Sequence, residues 1–145
     1  MTKNNLCIYY TEIYFYTKMF AVYGRGRVGN AVFKLAQSIN ISAVLLDDSD
    51  KDFDPSHYTG VIPSPGVSPY NRAFNGKNTV SELDFASVFL PRGFQIIAIT
   101  GTDGKSTTAW MLYQLLCAEN GQEHVWLSGN FEIPFSETVQ LIRES

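Results

Sequence analysis

An α/β architecture with parallel strands is the fold class this sequence predicts, and three observations predict it. Short apolar runs rich in Val, Ile and aromatic residues alternate with longer segments whose apolar positions recur at helical spacing. Twice, at residues 24–29 and 101–106, such a run breaks into a glycine-rich turn that hands over to a helix-period segment. Between the two, the run Ala43-Val44-Leu45-Leu46 ends on Asp47 and Asp48, an acidic strand end about 20 residues after the first glycine turn, as in dinucleotide-binding sheets. Together these describe a Rossmann-like N-terminal domain followed by the beginning of a P-loop α/β domain, truncated where the sequence stops.

The chain has 145 residues, 45% hydrophobic and 14% aromatic, which is enough apolar material for a real core. A net charge of −3, with Lys and Arg scattered, gives no electrostatic ground for a nucleic-acid surface. Cys7 and Cys117 lie far apart without CxxC spacing or neighbouring histidines, so neither a zinc site nor a disulfide framework is expected, and a reducing cytoplasm fits. Residues 6–23 are apolar and Tyr-rich, but Glu12 and Lys18 interrupt them and no small-residue cleavage site follows. Neither a membrane anchor nor a signal peptide is expected. Residues 1–19 are left as an extension without an assigned role, suited by composition to a strand or an ordered arm.

Residues 20–92 read as the Rossmann-like domain. Phe20-Ala21-Val22-Tyr23 is a short buried strand running into Gly24-Arg25-Gly26-Arg27-Val28-Gly29, a GxGxxG, after which Val28, Val32, Leu35, Ala36 and Ile39 follow at helical spacing. A purely structural strand–turn–helix would use the same glycines. If a ligand binds here, Asp47 accepts from a ribose hydroxyl or from the N–H of a uracil ring, and the residue type does not choose between them. Gly60-Val61-Ile62 is a third strand, opening into Ser64-Pro65-Gly66-Val67-Ser68-Pro69. That rigid loop continues no ladder; Gly66 can bring bare backbone up to a ligand, and a plain turn is equally consistent. Thr79-Val80-Ser81 reads as a fourth strand, and residues 82–90 as a helix with Leu83, Ala86 and Leu90 on one side. Pro91-Arg92-Gly93 ends it and marks the domain boundary.

Residues 93–145 read as the start of the second domain. Residues 96–100 would form a buried strand, and Gly101 and Gly104 would leave backbone N–H groups open to a triphosphate. A helix beginning near Lys105 would turn its unpaired N–H groups and dipole towards that anion. Lys105 can neutralise the β and γ oxygens, and the Ser106 hydroxyl can ligate the accompanying Mg²⁺. The generic Gly-x-x-x-x-Gly-Lys-Ser spacing would need glycine where Ile99 stands. The bland alternative is a polar turn that caps a helix, with Lys105 merely solvated. Trp110, Met111, Leu112, Leu115, Leu116 and Cys117 read as the core face of a helix on a sheet, closed by Gly121. His124-Val125-Trp126-Leu127 reads as a strand leading into Ser128-Gly129-Asn130, and Ser136 and Glu137 open a last helix through Val139, Leu141 and Ile142. His57 and His124 have no metal-type neighbours and read as ordinary surface or strand-end residues.

These loops all stand at presumed strand ends, where ligands collect in doubly wound sheets. With them in hand, Gly101-Thr102-Asp103-Gly104-Lys105-Ser106-Thr107-Thr108 resembles the ATP loop of the Mur ligase family. Ser64-Pro65-Gly66 and Gly129-Asn130 followed by Pro134 stand at that family's distances on either side. The resemblance covers residues 20–145 and is greatest to the members that add D-glutamate to UDP-N-acetylmuramoyl-L-alanine. It implies that Gly24, Gly26, Asp47, Ser64, Gly66 and Asn130 contact the nucleotide sugar. It implies equally that Gly101, Thr102, Asp103, Gly104, Lys105, Ser106 and Thr107 hold ATP and Mg²⁺, with Ser106 on the metal and Lys105 acting electrostatically on the transferred phosphoryl group.

Two departures stand out. Asp48 and Ser49 follow Asp47 where relatives use a hydroxyl and a basic residue, and Glu132 stands where relatives often keep glycine. The family's second Mg²⁺ carboxylate, its central-domain lysine and histidine, and its C-terminal amino-acid-binding domain would lie beyond Ser145. The expectation is therefore the N-terminal portion of a cytoplasmic, monomeric ligase, inactive alone. Two other classes remain open on the residues: a dinucleotide-binding oxidoreductase module built on residues 24–29 and Asp47, and a non-catalytic nucleotide-binding remnant.

Overall fold

The computed structural model describes residues 18–50, 53–68, 70–71, 74, 78–129 and 133–145. Residues 1–17 of the extension, and Asn130 with Glu132, lie outside these. Four strands, β1 (Phe20–Tyr23), β2 (Ala43–Leu46), β3 (Gly60–Pro63) and β4 (Asn78–Thr79), form one parallel sheet in the order β2-β1-β3-β4. Phe20 pairs with Ala43 on one side and Gly60 on the other, and Tyr23 with Leu46 and Pro63. Every residue of β1 is buried, as expected of a central parallel strand that reads as an unbroken apolar run. The chain leaves β1 for β2 on one flank and returns to β3 on the other. The carboxyl ends of β1 and β3 therefore flank a topological switch point, the usual place for a ligand in such sheets.

The helices of the described residues are α1 (Arg27–Ser38), α2 (Glu82–Val88), α3 (Lys105–Asn120) and α4 (Phe135–Glu144). Helix α1 turns Val32, Leu35 and Ala36 into a core shared with Phe20, Val22, Ile62, Phe85 and Val139. Its exit is sharp because Asn40 takes a left-handed φ of 58° and Ile41 N–H returns to the Ala36 carbonyl at 2.8 Å. Helix α2 begins on a side-chain cap, with the Ser81 hydroxyl accepting from Asp84 N–H at 3.0 Å. Helix α4 folds back against α1 and α2. Its Val139 is fully buried, Ser136 N–H donates to Glu82 Oε1 at 2.9 Å, and Arg143 Nη1 donates to the Phe89 carbonyl at 3.0 Å. The other face of the sheet carries a smaller cluster, in which Tyr23 and Val61 meet Phe53, Tyr58 and Phe74.

The first half follows the sequence expectation closely, apart from two details. The fourth strand is Asn78–Thr79 rather than residues 79–81, and α2 buries Phe85 and Ala86 while Leu83 is 62% exposed. The second half departs further. Residues 96–100 form no strand, and Ile96 and Ile97 are exposed; residues 124–127 likewise form none, following a short 3₁₀ turn at Gln122–His124. Helix α3 forms where predicted and ends at Gly121, whose φ is 90°. It buries none of its residues, so Trp110, Met111 and Leu115 are surface and not core. The physical reason is common to all three corrections. A strand needs a neighbour for its ladder and a helix needs a sheet for its apolar side, and among the described residues none is paired with this segment.

Candidate functional site

The sequence-predicted residues fall into two groups. Gly24, Gly26, Asp47, Ser64 and Gly66 converge on the carboxyl ends of β1, β2 and β3. Ser64 N–H donates to the Tyr23 carbonyl at 2.9 Å and Gly24 N–H to the Leu46 carbonyl, while the Ser64 hydroxyl donates to the Gly24 carbonyl at 3.1 Å. Ser64 thereby closes the switch point as a structural tie.

Sterics separate the glycines of the first turn. Gly24 has a φ of 110°, and a Cβ on it would lie 2.9 Å from Ser64 Cβ. A Cβ on Gly29 would fall 1.8 Å from the Gly24 carbonyl oxygen, so α1 can approach β1 only without a side chain there. Gly26 has an ordinary φ of −72° and no atom within 4 Å of the Cβ position. The fold accounts for Gly24 and Gly29; it does not require glycine at position 26, where a bare backbone leaves room for something else. Gly66 also opens onto free space, with a φ of 93° that suits glycine. Asn30 holds the turn in shape, its Nδ2 donating to the Arg25 carbonyl at 2.7 Å and the Gly26 carbonyl at 2.9 Å.

Asp47 sits beside this turn at the end of β2, and its partners are specific. Its Oδ1 accepts from Ser49 N–H at 2.8 Å and from the Ser49 hydroxyl at 2.5 Å, and forms an ion pair with Arg25 Nη1 at 2.9 Å. Arg25 reaches on to the Ser49 hydroxyl and to Asp50 Oδ1, each at 3.1 Å. The Ser49 hydroxyl, the Ser49 N–H and then Arg25 hold the Asp47 carboxyl below its ordinary value of 3.8. The Arg25 guanidinium is itself raised above its ordinary value, first by Asp50 and then by Asp47. Because the arginine is 43% exposed, this ion pair adds little to stability; its effect is to fix geometry. Beside it a recess of ≈ 490 Å³ is lined by Ser49, Asp50, Phe53 and Tyr58, among others. Asp48 is used differently, accepting from the Tyr23 hydroxyl at 2.7 Å and from Asn71 Nδ2 at 2.9 Å. Arg25, Asn30 and Ser49 went unassigned from sequence. Their signal was weak: a long basic side chain inside a glycine turn, an amide in the first turn of the helix, and a hydroxyl two residues after an acid.

The second group, Gly101, Thr102, Asp103, Gly104, Lys105, Ser106 and Thr107, makes a tight turn into α3. Gly101 has a φ of 151° and Gly104 is left-handed at 73°, with open space where its Cβ would be. Gly104 caps α3 without any side-chain hydrogen bond, and the first turn of the helix holds no acidic residue. Its leading N–H groups are therefore open to an anion. Lys105 Nζ donates to the Gly101 carbonyl and, at 2.9 Å, to the Thr102 carbonyl, so its charge lies over its own loop. Among the described residues the hydrogen bonds of Lys105 stay within that loop, and none joins the two groups. Asn130, expected to join the first, lies outside the described residues. No cluster of three or more His, Cys, Asp or Glu suited to a metal occurs among the described residues, and no helix there is long and apolar enough to cross a membrane.

The chain is similar to several curated ligases that share one name. The chain is 34% identical over 129 residues to the UDP-N-acetylmuramoylalanine–D-glutamate ligase of Hydrogenobaculum sp., covering 83% of this chain and 29% of that protein. It is 36% identical over 129 residues to the ligase of the same name from Aquifex aeolicus, covering 83% of this chain and 30% of that protein. The Elusimicrobium minutum ligase is 26% identical over 88% of this chain. No family model and no solved structure matches. The chain spans about a third of the length of these curated relatives and aligns with their N-terminal portion.

Proposed function

We propose that this chain, a relative of the Mur ligases over most of its length, carries the UDP-binding part and the ATP loop of such a ligase. The full-length reaction adds D-glutamate to UDP-N-acetylmuramoyl-L-alanine. The observation that carries the reading is the coexistence of two ligand loops: a switch-point turn at residues 24–29 and an uncapped, left-handed glycine loop with Lys105 at residues 101–105. A dinucleotide-binding oxidoreductase module has use for the first and none for the second.

The loop chemistry fits ATP with Mg²⁺. Open N–H groups and a helix N-terminus favour the phosphates, Lys105 can exchange its loop carbonyls for phosphate oxygens, and Ser106 is exposed as a metal ligand. ATP would supply the phosphoryl group that turns the substrate's terminal carboxylate into an acyl phosphate, whose acyl carbon the amine of D-glutamate would then attack with loss of inorganic phosphate. Lys105 acts by position and charge only, offsetting negative charge as the phosphoryl group moves. At the other loop, Asp47 stays ionised and acceptor-only for a donor of the nucleotide, and Gly26 and Gly66 present unobstructed backbone. The second metal carboxylate and the amino-acid site are sought elsewhere, so the 145-residue chain alone is expected to be inactive in ligation.

Calorimetric titration of this chain with UDP, with Mg-ATP and with NADH tests the reading. Binding of UDP and Mg-ATP is expected, with Lys105→Ala weakening Mg-ATP at least tenfold and leaving UDP unchanged. Tight NADH binding with indifference to UDP would overturn it in favour of the oxidoreductase module. Unaltered Mg-ATP binding by Lys105→Ala would leave only a nucleotide-binding remnant.

A further inference from the structure

The Arg25 network has a geometry that its contribution to stability does not explain. All three contacts on the Asp47 carboxylate, from Ser49 N–H, the Ser49 hydroxyl and Arg25 Nη1, fall on Oδ1. Among the described residues none falls on Oδ2. Arg25 engages Asp47, Ser49 and Asp50 through Nη1 and Nη2, and among the described residues its Nε–H takes no partner. Among the described residues the clamp therefore leaves a carboxylate oxygen and guanidinium N–H groups, Nε–H among them, unspent at the ends of β1 and β2. Ser49 and Asp50, the other two clamped residues, line the recess whose wall includes the stacked rings of Phe53 and Tyr58, 5.5 Å apart.

We propose that Arg25 is a positioning residue for nucleotide recognition: it locks one oxygen of Asp47 so that the other faces a ligand donor, and sets its own N–H beside it for a neighbouring ligand acceptor. This deepens the proposed function and rests on the UDP reading. The feature recognised is an adjacent donor and acceptor on the nucleoside. A uracil imide edge has it, with N3–H beside a carbonyl, and so does the ribose cis-diol. Position 25 is where the sequence departs from a plain glycine turn, and its guanidinium supplies in space the positive charge that neither Asp48 nor Ser49 brings to the end of β2. A flexible ammonium would not serve equally, because only a planar fork reaches Asp47, Ser49 and Asp50 together.

The test titrates the 145-residue chain and its Arg25→Ala, Arg25→Lys and Ser49→Ala variants with UDP, 2′-deoxy-UDP and N3-methyl-UDP. Mg-ATP serves as the internal control and thermal melting as the fold control. The wild-type chain is expected to discriminate at least tenfold against one analogue, the N3-methyl compound if the donor is the base and the deoxy compound if it is the ribose. Arg25→Ala and Arg25→Lys are each expected to weaken UDP about tenfold and to compress that discrimination, with Mg-ATP binding unchanged. Ser49→Ala, which releases Asp47 from the other side, is expected to compress it too. Weaker UDP binding with discrimination intact would make Arg25 a phosphate contact and overturn the proposal, as would unchanged UDP binding or no discrimination by the wild type. A wild-type chain that ignores UDP would instead overturn the functional reading beneath it.

Discussion

At the scale of single residues, the glycine turn separates the needs of the fold from those of a ligand. Gly29→Ala forces a Cβ against the Gly24 carbonyl and is expected to destabilise by at least about 1–3 kcal/mol, readable as a lowered denaturant midpoint. Gly26→Ala has space and an ordinary φ, so it is expected to cost no more than about 1 kcal/mol as a helix cap. Any larger loss of UDP affinity then belongs to the ligand. Asp47 gives a second residue-level test. Its folded-state pKa lies below 3.8, so the associated stability is fully present above that value and is lost as pH falls through the folded pKa. In an NMR titration Ser49→Ala is expected to move the Asp47 midpoint upwards, and by more than Arg25→Ala does, since the Ser49 hydroxyl is the largest cause. The candidate residues themselves were readable in sequence because glycines, an acid and a lysine at turn spacing advertise themselves. Arg25 was not, because its partners lie 22 to 25 positions away and a link of that kind is set by how β1 and β2 pair.

At the scale of elements, burial divides the helices. Leu35 on α1 is fully buried in the main core, whereas Leu115 on α3 is 68% exposed. Leu35→Ala is expected to cost about 2–5 kcal/mol and Leu115→Ala less than about 0.5 kcal/mol, as measured by equilibrium denaturation. Periodicity announced both helices equally well, since it reports where apolar side chains recur and not what they meet. The strand expected at residues 96–100 failed for the same reason. Its apolar run is suited to a parallel sheet, yet a strand exists only through its neighbours, and β1 succeeds at four residues because β2 and β3 flank it. Helix α4 was legible as a helix, but its docking through Glu82, Phe89 and Val139 depends on contacts that no local pattern encodes.

At the scale of the whole molecule, the chain is a packed sheet with an exposed excursion. Hydrogen exchange is expected to protect β1 and α1 amides far longer than those of α3, which buries none of its side chains. Helix α4 gives that arrangement a further meaning. The backbone leaves the packed body after Phe89 and is fastened to it again at Ser136 and Arg143, so the intervening stretch with Lys105 is an insertion with both ends moored. A short splice from residue 93 to residue 134 would keep every residue of the two hydrophobic clusters and give up the Ser128–Thr138 hydroxyl hydrogen bond. Shortening the loop about eightfold, which is about three halvings at about 0.6 kcal/mol each, would even relieve roughly 2 kcal/mol of closure entropy. The glycine loop at residues 101–105 is thus a removable passenger on the fold, and the sheet with its switch-point turn is the piece expected to stand by itself.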